Sequence, residues 1–266
     1  MKAINVKLSV AYVILLVVYS VCAAQGETGS DEILPVSAEL CGVMHKTKVL
    51  DASSPVGCER LRYVKFSYVN FSHQLQGDGE LVVLDVAADH VVNIFRTLRQ
   101  ISFPLSKARL MNYYLGNDEA SMADNNTSAF NDREIVGGRA KSIHAYGLAV
   151  DINPIQNPYI KRTKAGRTIS PKSGVEYENR GNLRPGMAEA VIDIFAEDGF
   201  PIWGGRWSNP TDYQHFQVSR TLAHELIRQP PTAAKKLFES AVDQYRICIR
   251  RLETAADKKA CVIGPP

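Results

Sequence analysis

One imidazole and one carboxylate, His144 and Asp151, stand seven positions apart in Ser142-Ile143-His144-Ala145-Tyr146-Gly147-Leu148-Ala149-Val150-Asp151-Ile152-Asn153. Both are ligand types that a divalent cation such as zinc accepts. Fully extended, the chain would hold them about 23 Å apart at roughly 3.3 Å per residue, so a shared ion requires a bend. Gly147 is the expected pivot, because a residue without Cβ reaches backbone angles closed to its neighbours. Beyond it, Leu148, Val150 and Ile152 alternate as in a half-buried strand. Ala149 shares a face with Asp151, which leaves that face small enough for a metal to approach. A catalytic zinc site normally takes three protein ligands and a water. The expected third ligand is His215, in Phe200-Pro201-Ile202-Trp203-Gly204-Gly205-Arg206-Trp207-Ser208-Asn209-Pro210-Thr211-Asp212-Tyr213-Gln214-His215-Phe216. Asp212, three residues earlier, is placed to take a proton from the attacking water without coordinating the metal.

The Ser-x-His-x-x-Gly-x-Ala-x-Asp run, followed some sixty residues on by Trp-Gly-Gly-x-Trp and Asp-x-x-His-Phe, resembles the zinc D-alanyl-D-alanine carboxypeptidase and L-alanyl-D-glutamate endopeptidase family of cell-wall peptidases. The resemblance covers roughly residues 85–220. It implies an α+β fold, helices against an antiparallel sheet with the metal in a cleft, and one zinc per chain held by His144, Asp151 and His215. It also implies that Asp212 acts as general base and then as general acid. Relatives carry Glu or Asp at that position, and Asp fits the endopeptidase branch better.

The same resemblance places Asn126-Thr127-Ser128-Ala129-Phe130-Asn131-Asp132-Arg133 along the substrate cleft. Arg133 then holds a peptide carboxylate or stabilises the oxyanion of the tetrahedral intermediate, with a structural salt bridge as the alternative. Ser128 and Trp207 are implied substrate contacts. Ser142 either fixes polar groups of the substrate or caps a turn. Trp203 either walls the cleft or packs in the core. A peptidoglycan stem peptide is the implied substrate, cut at the L-alanyl-D-glutamate bond or, alternatively, at D-alanyl-D-alanine. The hedgehog signalling domain resembles the same run and the same fold, so a non-enzymatic zinc-binding module is the reading from another class.

The elements that must position these groups come from 266 residues, 45% hydrophobic and 22% charged, enough to bury a sizeable core. A formal net charge of +3 gives no support for nucleic-acid binding, although weak attraction to an anionic wall polymer is compatible with it. Lys2 and Lys7 precede the apolar run Val10 to Val18, and Cys22-Ala23-Ala24 offers small residues for cleavage, the layout of a secretory signal peptide over residues 1–24. An uncleaved anchor is the alternative, and no later stretch is long enough to span a bilayer. The expected product is a secreted or periplasmic, wall-associated monomer.

Four cysteines remain after the leader, and sequence proximity favours Cys41 with Cys58 and Cys248 with Cys261. None has finger-like spacing for zinc.

Residues 25–84 read as an N-terminal extension. It opens with a polar linker over 25–40, contains a strand at Tyr63–Val69, and has a turn at Gly77-Asp78-Gly79. A helix is expected from Asp85, its cap, to about Arg99, with His90 as a surface or packing residue. A strand follows over 108–114, then a polar loop to about 133 leading into a short strand. Lys161 to Arg184 reads as a long surface loop bordering the site. Helices are expected over Met187 to Asp198, closed by Gly199, and over Ala233 to Arg251 within a C-terminal extension, residues 221–266.

Overall fold

The computed structural model describes residues 31–135, 137–252 and 260–262. The expected export segment lies outside the described residues. The fold is α+β. In chain order its elements are β1 (Glu32–Pro35), α1 (Ala38–Lys46), β2 (Leu61–Val69), β3 (Leu75–Leu84), α2 (Ala88–Gln100), β4 (Lys107–Ala108), α3 (Asp118–Ala123), β5 (Asn126–Thr127), β6 (Ala149–Asp151), β7 (Tyr159–Thr163) and β8 (Gly166–Ser170). Then follow α4 (Ile192–Glu197), β9 (Ile202–Trp203), β10 (Thr211–Asp212), β11 (His215–Gln217), α5 (Arg220–Arg228) and α6 (Pro231–Ile249). Three antiparallel sheets run β1-β2-β3, β6-β11-β9 and β10-β7-β8, beside a short parallel pair, β4-β5. No helix among the described residues is long and apolar enough to cross a membrane.

The first sheet supplies the core wall. Val64 and Phe66 on β2 and Leu81, Val83 and Leu84 on β3 are almost wholly enclosed, and α2 lays its apolar stripe of Val91, Ile94, Phe95 and Leu98 over them. Phe66 and Phe95 stack with ring centroids 4.1 Å apart. Each such aromatic contributes on the order of 2–3 kcal/mol through its removal from water. A single apolar core runs from Met44 to Val242, crossing positions 84 and 220, where extensions were expected to meet the central part.

Several local expectations change. The linker over 25–40 gives way at Glu32–Pro35, which pairs with Arg62–Lys65, and Ser37 caps α1 by accepting from the Leu40 amide at 3.1 Å. Gly77-Asp78-Gly79 is not a turn but the middle of β3. A Cβ on Gly79 would stand 2.7 Å from the Phe66 carbonyl oxygen, so this glycine permits close strand packing. The hairpin instead closes at Asn70, whose Oδ1 accepts from the Ser72 and Gln74 amides. Asp85 opens a single 3-10 turn ahead of α2, accepting from the Val86 amide at 2.8 Å and from Arg60 at 2.7 Å.

The expected strand over 108–114 shrinks to β4 followed by a 3-10 turn, Met111–Tyr114. The polar run after it folds as α3 with Asn117 as cap. The long loop after Lys161 contains the β7-β8 hairpin and a 3-10 segment, Lys172–Tyr177. Gly199 ends α4 with φ 94°, as expected of a helix-terminal glycine. His90 is buried, between Asp198 at 3.1 Å and Glu239 at 3.2 Å. Both disulfides form as paired by proximity, Cys41–Cys58 and Cys248–Cys261. Sequence separations of 17 and 13 residues make each worth about 3 kcal/mol in the chain-entropy account. Two such bridges fit an oxidising compartment.

Candidate metal centre and active site

Gly147 makes the bend. Ile143–Tyr146 forms one 3-10 turn, and Gly147 leaves it with φ 67°. A Cβ at Gly147 would lie 2.5 Å from the Leu84 amide nitrogen, which donates to the Gly147 carbonyl at 2.9 Å. The turn that carries His144 is thereby fastened to the end of β3. Ser142 caps it, its hydroxyl accepting from the His144 amide at 3.4 Å. Past Gly147, β6 is enclosed on both faces, not one, with Leu148, Ala149, Val150 and Ile152 all at 0% exposure. Its edges are engaged as well: β11 pairs with it on one side, and Ser128 bridges Asp151 from the other.

That pairing brings the distant ligands together. His215 lies directly across from Asp151 in the β11–β6 register. His215 Nδ1 is 2.9 Å from Asp151 Oδ1, His144 Nε2 is 3.2 Å from Asp151 Oδ2, and the two imidazoles approach at 3.1 Å through Nε2 of His144 and Nδ1 of His215. The outward nitrogens fix the protons. His144 Nδ1–H donates to the Ala129 carbonyl, and His215 Nε2–H donates to Gln217 Oε1 at 2.7 Å. With those protons turned outward, three lone-pair donors face one another, an arrangement suited to a cation between them. Their separations match the edge of a tetrahedron built on bonds of about 2.0–2.1 Å. The group can therefore hold a metal ion.

Burial opposes the charge on Asp151, yet the two imidazoles outweigh it and hold its carboxyl well below the usual carboxylate range. His215 moves the other way: burial lowers its pKa, and Asp151 more than restores it.

Asp212 occupies β10, paired across to Tyr159 on β7. Burial pushes its carboxyl up to about 7, and the nearby Asp151 charge adds to the rise, while His215 and Arg133 pull it partly back. Its Oδ1 is sealed from solvent and has no hydrogen-bond partner among the described residues. The Trp-Gly-Gly motif serves this strand. A Cβ on Gly204 would lie 2.5 Å from the Asp212 carbonyl oxygen, and one on Gly205 would strike the Trp203 ring. Trp203 is core, stacked near Phe216 and donating from Nε1 to the Tyr213 carbonyl at 2.7 Å. Trp207 is half-buried against His215, ring centroids 5.4 Å apart.

Arg133 pairs with Asp118 of α3 at 2.8 Å, both side chains 25% exposed, and its Nε is buried without a hydrogen-bond partner among the described residues. The salt bridge weighed for Arg133 is thus present, and the guanidinium still lies close enough to bias Asp212. Sequence reasoning missed Gln217, although a position two beyond His215 shares its strand face and was open to notice. It also missed the Ala129 carbonyl and Asp118, for which the sequence carries no signal. Asn153 and Asn157 were passed over as well. Asn153, at φ 42°, donates to Pro104 and Gly186 and accepts from the Ser106 amide. Asn157 donates to Ile152 and Gly186, and together they pin the far end of β6.

Residues 136–218 match the family described as D-alanyl-D-alanine carboxypeptidase. The matched stretch contains all three candidate ligands together with Asp212. It supports a peptidase of that family acting on a peptide substrate. No curated protein and no solved structure matches the chain.

Proposed function

We propose that the chain is an exported zinc metallopeptidase that hydrolyses the stem peptides of peptidoglycan, with one zinc held by His144, Asp151 and His215. The observation that carries the reading is the convergence of three potential ligand atoms next to a half-buried carboxylate, Asp212, whose Oδ1 has no hydrogen-bond partner among the described residues. When bound there, zinc supplies a Lewis acid and a water of lowered pKa. Everything else falls to the chain.

Asp212, its pKa raised by burial, takes a proton from the attacking water and holds it for the leaving amine. Arg133 faces the negative charge that develops on the scissile carbonyl oxygen. Gln217 and the Ala129 carbonyl keep both imidazoles in the ligating tautomer. Trp207 walls the centre, and Ser128, beside Asp151, contributes a substrate contact. The reading carries with it the fold of the D-alanyl-D-alanine peptidases and of the hedgehog domain.

L-Alanyl-D-glutamate endopeptidase activity is the favoured form. Asp stands at position 212 where the carboxypeptidases use Glu. Asp118 also already places a carboxylate on Arg133, leaving that cation less free for the C-terminal carboxylate of a substrate. The description of the matched family favours the second form, D-alanyl-D-alanine carboxypeptidase. Digestion of defined muropeptides followed by mass measurement separates them. Cleavage after L-alanine is expected, and release of terminal D-alanine alone would sink the endopeptidase form. A protein that loads zinc but hydrolyses no muropeptide would favour the binding module.

A further inference from the structure

We propose that the cleft between α3 and β8 is the track on which the substrate lies beyond the scissile bond. It takes an extended peptide that presents a free carboxylate to Lys172 and a free amine to Glu119. The inference rests on the peptidase reading and adds to it the chemistry of the rest of the substrate.

Continuity with the active site is the first argument. Asp212 on β10 pairs with Tyr159 on β7, and Tyr159 pairs in turn with Ser170 on β8, so the three share one row across the sheet. Cross-strand neighbours present their side chains to the same face. Two strand spacings of about 4.8 Å each place Ser170 roughly 10 Å from Asp212, the reach of about three residues of extended peptide. The opposite wall is fastened to the site at two points. Asp118 at the start of α3 binds Arg133, and the Met122 sulfur accepts from Gln214, the residue before the ligand His215.

The second argument is what the cleft offers. It holds about 780 Å³ and is open along its length. Its lining includes half-buried Met122 and Ile169 and Val175, the last 51% exposed, which gives it an apolar component. β8 is the outer strand of its sheet, so one edge of its backbone lacks a strand partner among the described residues, and an extended peptide can pair with it. Lys172, on the β8 side, and Glu119, on α3, line the same cleft, and neither has an ion-pair partner among the described residues. Arg167 is held by Glu178 at 2.8 Å and is not available in the same way. One cation and one anion, both unpaired among the described residues, in one cleft select a peptide that carries both charges.

The test uses the zinc-loaded protein and synthetic stem peptides of two to five residues, each also made with its side-chain carboxylate amidated or its side-chain amine acetylated. kcat/KM is expected to rise once the peptide reaches three residues beyond the cut, chiefly through KM. Lys172→Glu should raise KM about fivefold for the free acid and leave the amide unchanged, with kcat constant. Glu119→Lys should do the same for the free amine and not for its acetylated form. KM values that respond equally to charged and capped peptides in both variants would overturn the assignment of the cleft. Calorimetric titration of the same peptides separates this from failure of the peptidase reading. Charge-dependent binding without hydrolysis would remove the enzyme and keep the cleft, whereas hydrolysis with charge-blind KM and binding would remove the cleft and keep the enzyme.

Discussion

Two three-stranded sheets meet at the candidate active site, and they are built for opposite purposes. In β6-β11-β9 nearly every side chain is enclosed: Ala149, Val150 and Phe216 at 0% exposure, and Asp151, His215 and Gln217 at 4–5%. In β10-β7-β8 the strands run outward from buried Ile160 to the exposed Arg167 and Thr168 at the hairpin tip. The first sheet can hold charges close together only because each has a fixed partner and water is kept out, the condition under which three lone pairs demand a cation. The second keeps one foot, Asp212, in that dry region and extends the rest toward whatever is to be cut. In the proposed reading, ligation falls to the enclosed strands and recognition to an edge.

Breaking the buried sheet should have the largest effect. Phe216→Ala removes a ring stacked at 4.0 Å on Phe195, and should cost about 3–5 kcal/mol in denaturant unfolding. Asp212→Asn sits where the sheets meet. It should keep metal content at one equivalent while lowering the hydrolytic rate by about 10²–10⁴, measured on muropeptides with parallel metal analysis. Gln217→Ala should weaken metal affinity about 10–100-fold in competition with a chelator, because His215 loses the acceptor that fixes its tautomer.

A smaller effect is expected away from both sheets, at His90. Burial disfavours its charge, but Asp198 and Glu239 outweigh that and raise its pKa above the ordinary value. Its contribution is fully present below about pH 6.5 and is lost as pH rises through the higher folded value. The pH dependence of unfolding should therefore flatten in His90→Gln over that window. On the exposed sheet's side, Val175→Ser should change stability by less than about 0.5 kcal/mol.

The same contrast explains what could be read from the sequence. The grouping of His144, Asp151 and His215 was legible because metal chemistry accepts few residue types, and the bend at Gly147 because one glycine had to turn the chain. The helices at α2, α4 and α6 were legible from local periodicity. What was missed is non-local. Glu32–Pro35 looks like linker until β2 supplies its partner, and Gly79 looks like a turn until Phe66 presses against it. The β7-β8 hairpin carries little apolar alternation, because most of it faces solvent. Ala129 contributes only a carbonyl, which no side-chain pattern can announce.

The central claim is most directly tested by diffraction from crystals of the zinc-loaded protein at the zinc absorption edge. The expected result is one anomalous peak at about 2.0–2.2 Å from His144 Nε2, an Asp151 carboxylate oxygen and His215 Nδ1, with His215 Nε2 still on Gln217. A peak bound elsewhere, or none at these three atoms in a fully loaded protein, would contradict it.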